Sequence, residues 1–344
     1  MARSVLRAAV TTMKLMIRLI LFLCALAAAA VASVWWYVHR PLPMPADEVD
    51  VTVERGFTMR QAAQAVAAAG VEVHPEALYW IARLSGRAER IVAGSYVLTP
   101  GLNALQLIDK LAGGEVTRAE LLIVEGWNFR QVRAAVEAHP YLKQDTAELS
   151  DEEILQRIGA SETHPEGLFF PDTYLFDRHS SALAVLRQAY QAMQARLDEV
   201  WATRDPAVPL TSPYEALILA SIVEKETGRE SERGLVASVF ANRLRIGMRL
   251  QTDPTVIYGF GEAFEGRLRR HHLQTDHVYN TYTRAGLPPT PIAMPGLPSL
   301  QAAVRPADSE YFYFVARGDG SSQFSRNLAD HNRAVNRYQR GGGG

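Results

Sequence analysis

Residues 19–38 run for twenty positions without a charged side chain. As a helix this stretch extends roughly 30 Å, the thickness of a bilayer's hydrocarbon core. It either spans a membrane or directs export, and both place the rest of the chain outside the cytoplasm. Arg3, Arg7, Lys14 and Arg18 precede it, and Asp47, Glu48 and Asp50 follow it. The positive-inside rule then leaves the N-terminus in the cytoplasm. Trp35, Trp36 and Tyr37 fall where an outer interfacial belt belongs. The rival reading is a signal peptide cleaved near Ala30-Val31-Ala32, but the apolar run is long for such a peptide. We therefore expect an uncleaved single-pass anchor in contact with membrane lipid, with everything after Arg40 outside the cytoplasm.

The remaining chain is long enough for two domains, with 48% apolar residues overall. A net charge of −1 lacks the basic excess that nucleic acid binding requires. The one cysteine, Cys24, lies inside the apolar run, so no intramolecular disulfide can form. Without a cysteine pair and with scattered histidines, no closed zinc site is expected. Neither a metal nor a cofactor is implied.

The pattern predicts an α+β chain with six parts. Residues 1–18 are a cytoplasmic N-terminus, 19–38 a transmembrane helix and 39–50 a linker rich in proline and acid. Residues 51–115 alternate strand and helix as a small α/β module: strands at 51–54 and 93–98, helices at 58–69, 76–84 and 102–112. Residues 116–340 form a mixed α/β domain, and glycines 341–344 a flexible tail. In the larger domain we expect a strand at 121–124 and helices at 128–138, 151–158 and 180–204.

Ser212-Pro213-Tyr214-Glu215 is a strong helix start, with Ser212 as cap, Pro213 in the first turn and Glu215 completing a capping box. Residues 216–223 are apolar or small on every face except at Ser221, the mark of a buried helix. It runs into Glu224-Lys225-Glu226-Thr227, with Gly228 expected to end it. Two carboxylates thus sit on the last turn of a buried helix. Burial and the negative end of the helix dipole both favour the neutral acid. A carboxylic acid still protonated near neutral pH is what glycosidic cleavage needs as general acid. Spacing does not choose between Glu224 and Glu226, and either is compatible with a solvated helix end.

A second amphipathic helix follows at 231–245. Then come loops dense in amide, hydroxyl and aromatic side chains: Leu250 to Gly259, Tyr279-Asn280-Thr281-Tyr282, Gly286-Leu287-Pro288-Pro289 and Pro295-Gly296. Such groups hydrogen-bond sugar hydroxyls and stack on sugar faces, although each loop alone is ordinary turn chemistry.

The segments EGLFFPDTY (166–174), ASIVEKET (220–227), ASVFANRLRIGMRLQTDPTVIYG (237–259), YNTYTRAGLPPTPIAMPG (279–296) and YFYFVA (311–316) closely resemble the endolytic murein transglycosylase (MltG, or YceG-like) family. The resemblance covers nearly the whole chain and implies a LysM-like module at 51–115. It implies one catalytic glutamate, which in lytic transglycosylases ends a helix and precedes Ser or Thr. Glu226-Thr227 fits that pattern and Glu224-Lys225 does not, leaving Glu224 as a supporting residue. It further implies Gln251, Thr252, Asp253, Tyr258, Asn280, Thr281 and Tyr282 in substrate contact or loop support. Arg269-Arg270-His271-His272 matches no motif and is expected in a solvated loop.

The reaction implied is cleavage between N-acetylmuramic acid and N-acetylglucosamine with formation of 1,6-anhydromuramyl ends. The partners implied are peptidoglycan strands and a neighbouring peptidoglycan synthase such as a penicillin-binding protein. The competing readings are a non-catalytic wall-binding membrane protein and a glycan hydrolase that uses water.

Overall fold

The computed structural model describes residues 2–340 and divides into two compact units after Arg118. The glycine tail at 341–344 lies outside the described residues.

The first unit opens with helix α1 (Ala2–His39). Its segment Met16–His39 is long and apolar enough to cross a membrane, and Leu21, Phe22 and Leu26 point away from protein. Strand β1 (Val49–Val53) follows, then α2 (Met59–Ala68), α3 (Pro75–Leu84), β2 (Gly94–Leu98) and α4 (Ala104–Gly113). The two strands pair antiparallel with Val51 opposite Tyr96. Val49, Val51 and Val53 alternate inward, as period-two patterning requires. Thr58 with Gln61 and Asn103 with Gln106 form capping boxes at the starts of α2 and α4. Gly114 ends α4 with φ 67°. Leu78, Tyr96, Leu98, Leu107 and Leu111 fill the core.

The proline-rich segment after α1 is held against the rest of the first unit. Leu42 is 2% exposed and its N–H donates to Leu102 O at 2.8 Å. Glu72 N–H donates to Pro43 O at 3.0 Å, and His74 N–H donates to the Tyr37 hydroxyl at 3.3 Å. The end of the apolar helix is thereby tied into the small module.

The second unit comprises β3 (Arg118–Leu122), α5 (Phe129–Glu137), β4 (Leu142–Lys143), α6 (Asp151–Ile158), β5 (Thr173–Asp177), β6 (Ser180–Ser181), α7 (Ala182–Ala202), α8 (Pro213–Glu226), α9 (Glu230–Arg245), α10 (Asp253–Phe260), α11 (Arg270–Gln274), α12 (Leu297–Val304), β7 (Tyr313–Ala316), β8 (Ser322–Ser325) and α13 (Leu328–Val335). Its strands pair two by two: β3 with β5, β4 with β6, β7 with β8. Helices therefore carry the core, and α8 runs through it. Every residue from Ala216 to Val223 is buried. Ser221, the polar interruption, donates to Ile218 O at 2.7 Å and accepts from Ile292 N at 3.0 Å.

Several local expectations need correction. Glu215 does not close a box on Ser212; its carboxylate accepts from Thr211 N and Oγ1 instead. Helix α8 ends in an extended Thr227 rather than a left-handed Gly228. The stretch after Thr252, expected as loop, is helix α10, and α12 was not foreseen. The basic 269–272 segment enters α11, and His272 is buried at 4.7 Å from the Phe260 ring rather than solvated.

Candidate active site

Glu226 closes the last turn of α8, and the loop between α9 and α10 comes up beside it. That loop is held by a polar clamp. Gln251 adopts a left-handed φ of 48°, which a non-glycine residue sustains only when neighbours impose it. Its N–H donates to Thr281 O at 3.1 Å. Thr252 N–H donates to Thr281 Oγ1 at 3.1 Å, while Thr255 Oγ1 donates to Thr252 O at 2.8 Å and lies 2.9 Å from Thr281 Oγ1. So fixed, the Thr252 hydroxyl donates to Glu226 Oε1. No other hydrogen bond to this carboxyl occurs among the described residues, so Oε2 is available to a ligand.

Burial pushes Glu226 up from its ordinary value of 4.5 to about 7. The Thr252 hydrogen bond opposes that rise, the charge of Asp253 adds to it, and Arg243 lowers it. The carboxyl faces a cavity of about 550 Å³ that also takes in Gln251, Asp253, Arg243, Tyr282 and Tyr313. Tyr282 donates to Asp253 Oδ1 at 2.5 Å. Arg243 is buried and anchored by main-chain carbonyls, Nη1 on Leu250 O at 2.6 Å and Nε on Phe312 O at 2.7 Å. Residues from β7, β8 and α13 complete the wall. The site is thus a neutral-leaning acid, a second carboxylate and one cation around a polar cleft.

Glu224, one turn position away, faces elsewhere. Its Oε2 accepts from Gly296 N at 3.0 Å and Ser299 Oγ at 2.7 Å, which closes the N-terminus of α12. Arg233 Nη2 stands 3.9 Å away, and both side chains are largely buried. Glu224→Ala leaves these donors unmatched. It should lower stability by about 2 kcal/mol, a Tm loss of roughly 5 °C in a thermal melt.

Of the other residues marked in the sequence, Thr281 and Asn280 are buried inside the clamp. Asn280 Nδ2 donates to Thr275 O at 2.7 Å and its Oδ1 accepts from Tyr282 N at 2.9 Å. Tyr258 lies away from Glu226. It lines a second cavity of about 750 Å³ with Glu166, Lys225, Pro254 and Tyr279. Glu166 is 3% exposed, accepts from Phe129 N at 3.1 Å and from Tyr258, and is raised by burial to about 7. Arg243 and Glu166 went unmarked in the sequence. Their one signal is a charged residue inside an otherwise buried stretch.

Residues 51–337 match the model of the YceG-like family. The chain belongs to that family. An endolytic murein transglycosylase of Bacillus subtilis is 30% identical over 84% of this chain and 84% of its own length. Another, from Streptococcus pneumoniae strain D39, is 24% identical over 93% of this chain, which spans 64% of that longer protein. The crystal structure of a YceG-like protein from Listeria monocytogenes superposes with a TM-score of 0.55 at 29% identity, covering 83% of this chain and 98% of the other. This YceG-like chain therefore shares both sequence and fold with its family across both units.

Proposed function

We propose that this YceG-like chain is an endolytic murein transglycosylase whose general acid is Glu226. The observation that carries the reading is the Glu226 carboxyl itself. It is raised to about 7, held on one oxygen by Thr252 and open on the other to a polar cavity. Protonated Glu226 delivers its proton to the oxygen linking N-acetylmuramic acid to N-acetylglucosamine. As that bond breaks, positive charge develops at the muramyl C1. The Thr252 hydroxyl then stabilises the carboxylate formed. Acting next as base, Glu226 takes the proton from the C6 hydroxyl of the same sugar, whose oxygen closes on C1. The nucleophile is intramolecular and already positioned, so one carboxyl suffices. The product is a 1,6-anhydromuramyl end.

Asp253 supports a second reading. It shares the cavity, and a second carboxylate is what a water-using glycosidase requires. Gln251, Asp253 and Tyr282 border the substrate, whereas Asn280 and Thr281 act through the loop they hold. In keeping with the family, α1 anchors the chain with its second unit outside the membrane, the LysM-like first unit contacts glycan, and a peptidoglycan synthase supplies nascent strands.

The acid role fixes a pH dependence. Activity falls as pH rises through about 7, where Glu226 loses its proton before substrate binds. Thr252→Val removes the hydrogen bond that holds this pKa down, so the alkaline limb should move upward by roughly one pH unit. Release of soluble fragments from glycan strands by the full chain in detergent, followed across pH 5–9, reads both effects. An unchanged alkaline limb in Thr252→Val would remove Glu226 as the titrating acid.

A further inference from the structure

The larger cavity takes no part in the reaction above, yet it shares a wall with the smaller one. Consecutive residues divide between them. Glu226 and Asp253 line the smaller cavity, while Lys225 and Pro254 line the larger. The two cavities therefore approach one another at residues 225–226 and 253–254.

The lining of that cavity is chemically biased. Its apolar lining is Pro165, Ile257, Tyr258 and Ile292, with the buried acid Glu166 beside Tyr258. Its rim carries Arg130, Arg133 and Lys225, with Asp151 as the acid beside Arg133. Arg130 is matched by Glu262 at 2.7 Å, and Arg133 by Glu137 and Asp151 at 2.7 and 2.8 Å. Lys225 is different. Its Nζ donates to Gly126 O at 3.1 Å and it joins no ion pair among the described residues. The lysine is solvent-facing and its charge is uncompensated. A glycan backbone of N-acetylated sugars has no charge to offer it. The muramic acid residue does, through the peptide joined to its lactyl group, which ends in carboxylates and carries small apolar side chains.

We propose that Lys225 and the cavity it lines receive the carboxylate-bearing stem peptide of the muramic acid at the cleavage point. This rests on the murein-cleaving reading above and names the feature of the strand that the enzyme selects. An acidic peptide satisfies the unpaired ammonium, and its apolar side chains cover the tyrosine and isoleucine side chains of the lining. Lys225 is then a specificity residue, adjacent in sequence to the acid whose substrate it positions.

The test compares two substrates made from one preparation: uncross-linked glycan strands with stem peptides intact, and the same strands stripped by an amidase that cuts the lactyl–peptide bond. The full chain should have the higher kcat/KM on peptide-bearing strands. Lys225→Met should narrow that preference roughly tenfold, mainly through KM, the size of one charge-assisted contact. Lys225→Arg keeps the charge and should retain most of the preference. Raising ionic strength should erode it in the wild type more than in Lys225→Met. A preference identical in wild type and Lys225→Met overturns the inference. So does an equal loss on both substrates, which assigns the cavity to sugars. A wild type inactive on both strands instead removes the underlying murein-cleaving reading, and the inference with it.

Discussion

Glu226→Gln is expected to lower the rate of glycan cleavage by about a thousandfold or more, within the range that a positioned general acid contributes. The amide keeps the size of the side chain and can still accept from the Thr252 hydroxyl, but it has no proton to deliver to the glycosidic oxygen. The same substitution should make the protein more stable in alkali. The wild-type carboxyl titrates at about 7 in the folded chain against an ordinary 4.5. A raised folded pKa means stability that is full below pH 4.5 and lost as pH rises through about 7. The shift corresponds to at most about 3 kcal/mol, reduced because the side chain is partly reached by solvent. Glutamine does not titrate. At pH 8 the variant should therefore melt several degrees above the wild type, and at pH 4 the two should coincide. Loss of activity together with alkaline stabilisation separates removal of a strained acid from simple damage to the fold. An inactive variant that melts lower than the wild type at pH 8 would contradict the burial argument.

Gly167→Ala should be strongly destabilising. Gly167 holds φ 80°, a left-handed conformation, and a Cβ there would meet Pro291 Cβ at 2.4 Å and Cγ at 2.6 Å. A proline ring cannot swing aside. The backbone strain and the overpacking together cost about 3 kcal/mol. Relief requires the 291–294 loop to move, and that loop is tied to the core. Ile292 N–H donates to Ser221 Oγ, and Gly126 N–H donates to Met294 O at 2.8 Å. Gly286 is the matched control, with φ 83° and nothing within 4 Å of its would-be Cβ. Gly286→Ala bears the backbone strain alone, about 1 kcal/mol. Thermal melts of the two variants isolate the clash. Equal losses would mean that Pro291 yields without penalty.

The sequence announced the parts of this molecule whose physics is local. Apolar residues on every face marked α8 as buried, and every residue from Ala216 to Val223 does lie in the core. Misread segments were those whose conformation depends on distant chain. Asp253-Pro254 can begin a helix as readily as a turn, and only the Thr281 clamp decides. Once α10 is a helix, Tyr258 stands five steps from Asp253, about 140° round the axis, which turns it into the other cavity. Spacing could not separate Glu224 from Glu226 because the difference lies in α12, whose Gly296 and Ser299 occupy one carboxylate and not the other. Arg243 stands on α9, whose sequence shows only amphipathic spacing. It is buried because carbonyls of Leu250 and Phe312 accept its guanidinium.

The most direct measurement is the chemistry of the new chain ends. Peptidoglycan strands are digested by the full-length protein in oxygen-labelled water, and the released muropeptides are weighed by mass spectrometry before and after borohydride reduction. If the muramyl C6 hydroxyl is the nucleophile, the ends are 1,6-anhydromuramyl, lighter by one water, free of label and inert to borohydride. Labelled, reducible muramyl ends would contradict the transglycosylase mechanism and assign the attack to water, with Asp253 as the second carboxylate beside Glu226.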